Sequence, residues 1–291
     1  MAFNHDVVAN WKFPLVVQTI KSSDCSLYAL SVGMGRDPLD RDELPFVYGP
    51  EIKVLPTMAA AVCTPGFWAE DARMGIDITR IFHGEQNVTL HKAIPPGEEL
   101  TGHSRISDII DKGPGGGAII EVECVVRDSE DHPVWTVNRS AFLKGEGGFG
   151  GQNRTVSPPA EIPNRYPDHV VDLPTTGQQA LLYRLNGDFN PLHADLDVAA
   201  RAGFRRPILH GLCTYGIAGH ALLKAVCDYD VNRFGRFSVR FSAPSFPGDT
   251  LRIEIWKNGL AGAFFRCRAL ERDVTVIASG RFDFAKSISM N

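Results

Sequence analysis

The feature that most constrains the fold of this chain is an internal repeat. Residues 88–100, Val-Thr-Leu-His-Lys-Ala-Ile-Pro-Pro-Gly-Glu-Glu-Leu, align without a gap to residues 239–251, Val-Arg-Phe-Ser-Ala-Pro-Ser-Phe-Pro-Gly-Asp-Thr-Leu. Such self-similarity indicates that one structural unit occurs twice. A chain of 291 residues divides into two domains of ordinary size.

In each half the repeated segment opens four strand-like runs with turn residues between them. They are predicted over residues 87–93, 99–110, 118–128 and 134–143, and over residues 236–243, 250–257, 263–271 and 274–284. Before the second set, the apolar stretch 212–226 predicts a buried central helix. One long buried helix followed by an antiparallel meander, occurring twice in the chain, is an α+β arrangement.

The Gly/Pro-rich stretch from Gly145 to Pro163 is the candidate linker. We therefore expect an N-terminal domain over residues 1–150, a linker over 151–165 and a C-terminal domain over 166–291. The apolar fraction of 44% is sufficient for two packed cores.

The densest group of chemically useful side chains lies in the second half. Gly187 and Pro191 are turn-forming residues within the segment Asn-Gly-Asp-Phe-Asn-Pro-Leu-His. Asp188, Asn190 and His193 should therefore lie on one tight irregular turn. A carboxylate beside a histidine that titrates near neutrality suits water activation and proton transfer. The alternative is that these side chains only cap the turn and the next helix.

A short helix predicted over residues 194–202, ending at Gly203, separates this turn from the central helix. The first N–H groups of a helix have no intrahelical acceptor, and Gly211 would let another molecule approach that backbone closely. These N–H groups and the helix dipole would stabilise negative charge developing on a carbonyl oxygen. The sequence thus predicts a proton-transfer turn followed by an oxyanion donor.

The segment 183–193, with Gly203-Phe204 and Pro-Ile-Leu-His-Gly-Leu at 207–212, resembles the signature of the hydratase 2 family. These are (R)-specific enoyl-CoA hydratases of the MaoC-like group, which includes the hydratase part of peroxisomal multifunctional enzyme type 2. His-Gly-Glu-Gln at 83–86 and Asp-Lys-Gly at 111–113 extend the resemblance into the first half. The resemblance implies two hot-dog folds in one chain, each an antiparallel sheet wrapped around a central helix.

The implied reaction is the reversible addition of water to a trans-2-enoyl-CoA, which gives a (3R)-3-hydroxyacyl-CoA. By the same resemblance, Asp188 and His193 hold and activate the water and handle the proton, in an order the sequence leaves open. Asn190 would position the water or the aspartate, and the Gly211 N–H would bind the thioester oxygen. No metal or redox cofactor is implied, since coenzyme A is part of the substrate.

The resemblance also implies that the coenzyme A thioester is contacted by His83, Gly84, Lys112 and Phe241. Lys112 has a physical rationale, because a cation on a glycine-rich turn can reach a phosphate. Alternatively, Lys112 is a solvated hairpin lysine, His83 supports its own turn, and Phe241 belongs to the core.

In the first half, residues 35–40, Gly-Arg-Asp-Pro-Leu-Asp, stand roughly in the place of the Asp188 turn. They lack its asparagine and its histidine. We therefore expect one active site per chain, on the second half. The resemblance assigns the acyl chain to the first half.

The net charge of −4 argues against nucleic acid or an anionic membrane surface as the main partner. The N-terminus has no signal-like region, no run approaches transmembrane length, and residues 287–291 do not end in Ser-Lys-Leu. We expect a cytoplasmic protein with six reduced, mostly buried cysteines. Hot-dog sheets pair edge to edge, a pairing that two domains can satisfy within one chain, and the resemblance implies a homodimer.

Three other interpretations compete with this one. A metal cluster of Asp188, His193, Asp195 and His210 lacks a recognised ligand spacing, and His210 is expected to support the site from behind, so no metal is expected. A thioesterase of hot-dog type would hydrolyse the thioester instead of hydrating the alkene. A non-catalytic acyl-thioester-binding subunit would have lost the acid/base turn. The presence of all three polar residues of the turn favours hydration.

Overall fold

The computed structural model describes residues 3–153 and 160–285. Residues 154–159, in the middle of the expected linker, and residues 287–291, considered above as a targeting signal, lie outside the described residues. The described residues form one sheet of ten strands, with helices packed against it.

The strands are β1 (Val16–Thr19), β2 (Ile81–Leu90), β3 (Glu99–Asp111), β4 (Ala118–Arg127), β5 (Pro133–Leu143), β6 (His169–Pro174), β7 (Phe234–Phe241), β8 (Thr250–Asn258), β9 (Gly262–Ala269) and β10 (Val274–Phe284). The α-helices are α1 (His5–Ala9), α2 (Ser22–Ser31), α3 (Leu44–Val47), α4 (Gln179–Tyr183), α5 (Leu196–Arg201) and α6 (Gly211–Cys227). Short 3₁₀ helices cover Pro56–Ala60, Trp68–Glu70, Ala72–Met74, Ile78–Arg80, Arg184–Asn186, Pro191–His193, Val231–Arg233 and Leu270–Arg272.

The sheet consists of two halves with the same strand order. From its outer edge inwards, the first half runs β1-β3-β4-β5-β2 and the second runs β6-β8-β9-β10-β7. β2 and β7 join the halves in antiparallel register, with Asn87 opposite Ser238. The α+β double hot-dog class, the internal repeat and the edge-to-edge pairing within one chain are therefore confirmed.

The eight strands expected from the repeat are all present, with their ends shifted. The largest difference is at β2, which begins at Ile81 instead of residue 87. Its first residues contain a β-bulge between His83 and Glu85, and a bulge breaks the alternation that identifies a strand. The edge strands β1 and β6 were not predicted, because four and six residues give a weak alternating pattern.

The predicted central helix of the second half is α6, which begins at Gly211 and ends before Asp228. Nearly all of its residues are buried, because the sequence is apolar or small around its whole circumference. Two glycines let it approach the first half closely. A Cβ at Gly216 would lie 2.5 Å from Val32 Cγ1, and one at Gly219 would lie 2.2 Å from Thr57 Cγ2.

The expectation of a central helix in both halves is wrong for the first half. In the first half, the stretch between α3 and β2 contains four 3₁₀ helices, of which Pro56–Ala60 is the longest. Its five residues are all buried, with Thr57 against α6. Among the described helices of the first half, none is as long as α6, and a cavity lies against the inner face of β4 and β5.

The turn that replaces the Asp188 motif in the first half contacts the far end of α6. Lys224 donates to the Asp40 carboxylate at 3.0 Å. His220 Nε2 lies 2.9 Å from Glu43 Oε1, and the same carboxylate accepts the Gly35 N–H at 2.8 Å. This turn therefore ties the two halves together.

None of the described helices combines the length and the apolar character needed to cross a membrane. The six cysteines all lie in the described part of the chain, where they are buried free thiols. The expectation of reduced, buried cysteines is confirmed.

Candidate active site

A cavity of about 860 Å³ lies between the two halves of the chain. The second half lines it with the Asp188 turn and the start of α6. The first half contributes the beginning of β2 and the inner faces of β4 and β5. The cavity therefore brings together six of the predicted residues, namely Asp188, Asn190, His193, Gly211, His83 and Phe241.

The Asp188 turn is shaped by its own side chains. Asn190 Oδ1 accepts the Leu192 N–H at 3.0 Å and caps the 3₁₀ helix Pro191–His193. Asp188 Oδ1 lies 3.3 Å from the Asn190 N–H. The capping role considered as an alternative is therefore present at Asn190. The same bonds aim the turn into the cavity, since Asp188 and Asn190 both line it.

A backbone carbonyl group fixes the tautomer of His193. Its Nδ1 lies 3.0 Å from the carbonyl oxygen of Ile208. Because a carbonyl only accepts hydrogen bonds, Nδ1 carries the proton and Nε2 has a free lone pair. Burial lowers the pKa of His193, and the negative charge of Asp188 opposes that effect. His193 is therefore a neutral base at pH 7.

His210 packs against this turn and supports it, as expected from the sequence. The rings of His193 and His210 stack with centroids 3.7 Å apart and planes at 29°. His210 Nε2 lies 3.2 Å from the backbone oxygen of Asp188. Burial and the neighbouring His193 lower the pKa of His210 strongly, so its ring is neutral.

Asp188, His193 and His210 each offer one ligand atom, and these atoms lie within 4.8 Å of one another. A metal ion lies near the plane of each imidazole that binds it. Two nearly parallel stacked rings direct their nitrogen lone pairs side by side, so the pairs do not converge on one point. The arrangement therefore suits proton transfer better than metal binding.

The start of α6 faces the other half of the cavity. A Cβ at Gly211 would lie 3.5 Å from Phe241 Cζ and 3.6 Å from His83 Nδ1. His83 and Phe241 themselves pack with ring centroids 4.9 Å apart. Burial, with the charge of Arg139, lowers the pKa of His83 to about 4. Gly211 is thus bordered by two neutral rings, one from β2 and one from β7.

The structure does not bring Gly84 and Lys112 to the cavity wall, as far as its lining is described. Gly84 lies in the β2 bulge, where a Cβ would be 2.7 Å from Ser140 Oγ. Lys112 begins the turn between β3 and β4. Lys144, an exposed basic residue at the cavity, was missed by sequence reasoning. Contact of Gly84 and Lys112 with coenzyme A stays a prediction.

Comparison with known families gives two adjoining matches. The MFE-2 hydratase 2 N-terminal domain matches residues 19–145. The MaoC like domain matches residues 159–279. The two matches fall on the two halves of the sheet.

Two curated relatives are similar over nearly their whole length. Enoyl-CoA hydratase 2, peroxisomal, from Arabidopsis thaliana is 37% identical over 95% of this chain and 94% of the relative. Enoyl-CoA hydratase ChsH3 from Mycobacterium tuberculosis is 38% identical over 89% of this chain and 91% of the relative. Among solved structures, a MaoC-like dehydratase from Phytophthora capsici superposes with a TM-score of 0.83 at 31% identity, over 97% of this chain and 99% of that one.

Proposed function

This chain belongs to the MaoC-like hydratase 2 family, and we propose that the Asp188 turn and the start of α6 form its active site. The protein is an enoyl-CoA hydratase, a lyase that reversibly converts a trans-2-enoyl-CoA to the (3R)-3-hydroxyacyl-CoA. The observation that carries the site assignment is the meeting of Asp188, His193 and the Gly211 N–H around one cavity.

In the hydration direction, the free Nε2 of His193 accepts a proton from water as the water oxygen bonds to C3. The other O–H group of the water, which becomes the C3 hydroxyl, donates a hydrogen bond to the Asp188 carboxylate, whose charge also stabilises the imidazolium that forms. The C2–C3 π electrons move towards the thioester, so its oxygen gains negative charge that the Gly211 N–H stabilises. C2 then takes the proton from His193, which returns to its neutral form.

The remainder of the substrate occupies the same cavity in this proposal. The coenzyme A moiety extends out of the cavity on the exposed side near Lys144, whose positive charge can bind a phosphate. The acyl group lies against β4 and β5, where the first half lacks a helix of the length of α6 among the described residues. Asp188, His193 and a backbone N–H supply both proton transfers and the charge stabilisation, so the proposed reaction includes no metal or redox cofactor.

The test is the loss of the ultraviolet band of the conjugated enoyl thioester, with trans-2-butenoyl-CoA and trans-2-octenoyl-CoA as substrates. Asp188→Asn and His193→Gln should each lower kcat by about 10²- to 10⁴-fold, the usual contribution of a general acid–base group. Asp195→Asn is the matched control, because Asp195 is an exposed cap of α5 whose capping bonds asparagine can replace.

Loss of the band without release of free thiol, abolished in the two site variants only, would establish the assignment. Thiol release would indicate a thioesterase. Full activity of either site variant would refute the roles given to Asp188 and His193.

The cytoplasmic location and the homodimer stay predictions. The Arabidopsis relative is named peroxisomal, so the compartment of this protein has to be determined by microscopy of the tagged chain. Sedimentation of the purified protein would determine its oligomeric state.

A further inference from the structure

The first half carries a polar pair at a position where the second half carries a hydrophobic one. The repeat, together with the antiparallel pairing of β2 with β7 (the β2–β7 seam), places Gln86 in the first half at the position that Phe237 has in the second half. Phe237 pairs across the sheet with Phe282, and both are fully buried. Gln86 pairs in the same way with Arg139 of β5. An arginine therefore replaces a core phenylalanine on the inner face of the first sheet.

Arg139 lines the cavity on the side proposed for the acyl group. On that inner face, Val122 lies opposite it on β4, Val137 and Ala141 lie two residues away on β5, and the buried Gln86 lies opposite it on β2. Its Nη2 atom is buried and has no hydrogen-bond partner among the described residues. No described acidic side chain lies within ion-pair distance of it. Arg139 is thus a partly buried cation with a buried Nη2 atom and without a counter-ion among the described residues.

An unpaired buried charge is strongly unfavourable, which is why buried arginines are found with carboxylates or phosphates. Burial accordingly lowers the pKa of Arg139, and Asp188 attracts it only from beyond contact distance. A purely hydrocarbon acyl chain would leave this charge unpaired and would displace any water that solvates it. A carboxylate on the acyl group would satisfy it with two parallel hydrogen bonds.

We propose, on the basis of the function assigned above, that the preferred substrates are enoyl-CoA thioesters whose acyl group ends in a carboxylate, and that Arg139 binds that carboxylate. The thioester lies at Gly211 and the distal carboxylate at β5, so the two ends of the acyl group contact different halves of the chain. Arg139 determines specificity and takes no part in the proton transfers.

The test compares pairs of substrates of equal length that differ only at the distal end. These are trans-2-hexenedioyl-CoA with trans-2-hexenoyl-CoA, and trans-2-octenedioyl-CoA with trans-2-octenoyl-CoA. For at least one pair, the diacid should have a kcat/KM at least tenfold higher. Arg139→Met should lower the ratio of diacid to monoacid by about 100-fold, the order of magnitude that hydrogen bonds to a charged group contribute. Arg139→Lys keeps the charge without the planar fork and should give an intermediate ratio.

A binding measurement on the unmodified protein covers the case in which the variants do not fold. Hexanedioyl-CoA, which is saturated and cannot be hydrated, should bind more tightly than hexanoyl-CoA by calorimetry. Equal binding, or an Arg139→Met variant in which both substrate classes decline equally, would overturn the inference. Hydration of the monoacids without preference for the diacids would refute this inference alone. Failure to hydrate any of the four substrates would instead refute the proposed function, and the calorimetry would still decide between the two acyl classes.

Discussion

Replacement of Gly211 by proline isolates the contribution of one N–H group. Gly211 is the first residue of α6, a position where proline is well tolerated because its N–H has no intrahelical acceptor. The preceding residue, His210, has φ −58° and ψ 136°, which is the region that a residue before proline prefers. A Cβ at residue 211 would come no closer than 3.5 Å to the atoms around it. The variant should therefore keep α6 and lose only the donor.

The size of the effect follows from the role of the donor. Removal of one preorganised N–H from an oxyanion site lowers kcat by about 10²- to 10³-fold, or about 2.7–4 kcal/mol of transition-state stabilisation. Gly211→Ala adds the same Cβ and keeps the N–H, so it is the matched control. We expect Gly211→Pro to be slower than Gly211→Ala by that factor.

The assay is the decrease of the enoyl-thioester band of trans-2-butenoyl-CoA under saturating conditions. Because the proline Cδ occupies the place of the lost hydrogen, the affinity for saturated butanoyl-CoA is measured in parallel to separate ground-state binding from catalysis. A kcat for Gly211→Pro within tenfold of that for Gly211→Ala, with α6 intact by circular dichroism, would refute the assignment of this N–H as the thioester oxygen donor.

Two further predictions concern the proton acceptor and the contact between the halves. Burial lowers the pKa of His193, and the neutral form is the active one. The value of kcat/KM should therefore be constant near neutrality and should fall only below about pH 6.5, the ordinary pKa of histidine. A pH–rate profile in which activity is lost on the acid side with a midpoint above pH 7 would contradict this. Gly219→Ala should lower the free energy of unfolding by about 1–3 kcal/mol in urea denaturation, in spite of the better helix propensity of alanine, because its Cβ would lie 2.2 Å from Thr57 Cγ2. Addition of Thr57→Ser, which removes that methyl group, should restore part of the lost stability. Gly177→Ala is the control and should change stability little, because no atom lies within 4 Å of the added Cβ. If Gly219→Ala left the free energy of unfolding unchanged, the close packing of α6 would be refuted.

The central helix and the strands of the second half were predictable because their signals are local and strong. The stretch that forms α6 is apolar for several turns, and the strands after it alternate with clear turn residues between them. The β2 bulge and the two short edge strands were not predictable, because each breaks or shortens the pattern from which a strand is recognised. The missing helix of the first half was also hidden, since the repeat aligns strands and says little about the segment before them.

The candidate site shows the same limit. The Asp188 turn could be found because several polar residues crowd into a few positions with turn-forming neighbours. Arg139 could not be found in this way, since it is a single residue in an ordinary context, and the contacts of His210 could not be foreseen from its sequence neighbours. Their importance depends on ring stacking and on which face of β5 points inwards. Such relations arise only when distant segments meet.

The covalent union of the two halves has a consequence for how selectivity can be encoded. Two identical chains joined at the β2–β7 seam would have to repeat every residue at both symmetric positions. An arginine that suits one acyl group would then also replace a phenylalanine in the packed core of the other subunit. In the fused chain, Phe237 and Phe282 support the core, while Arg139 lines the cavity with the buried Gln86 opposite it on β2. Each pair can therefore be substituted without a matching change in the other, and the chain can acquire new acyl preferences independently of its proton-transfer groups.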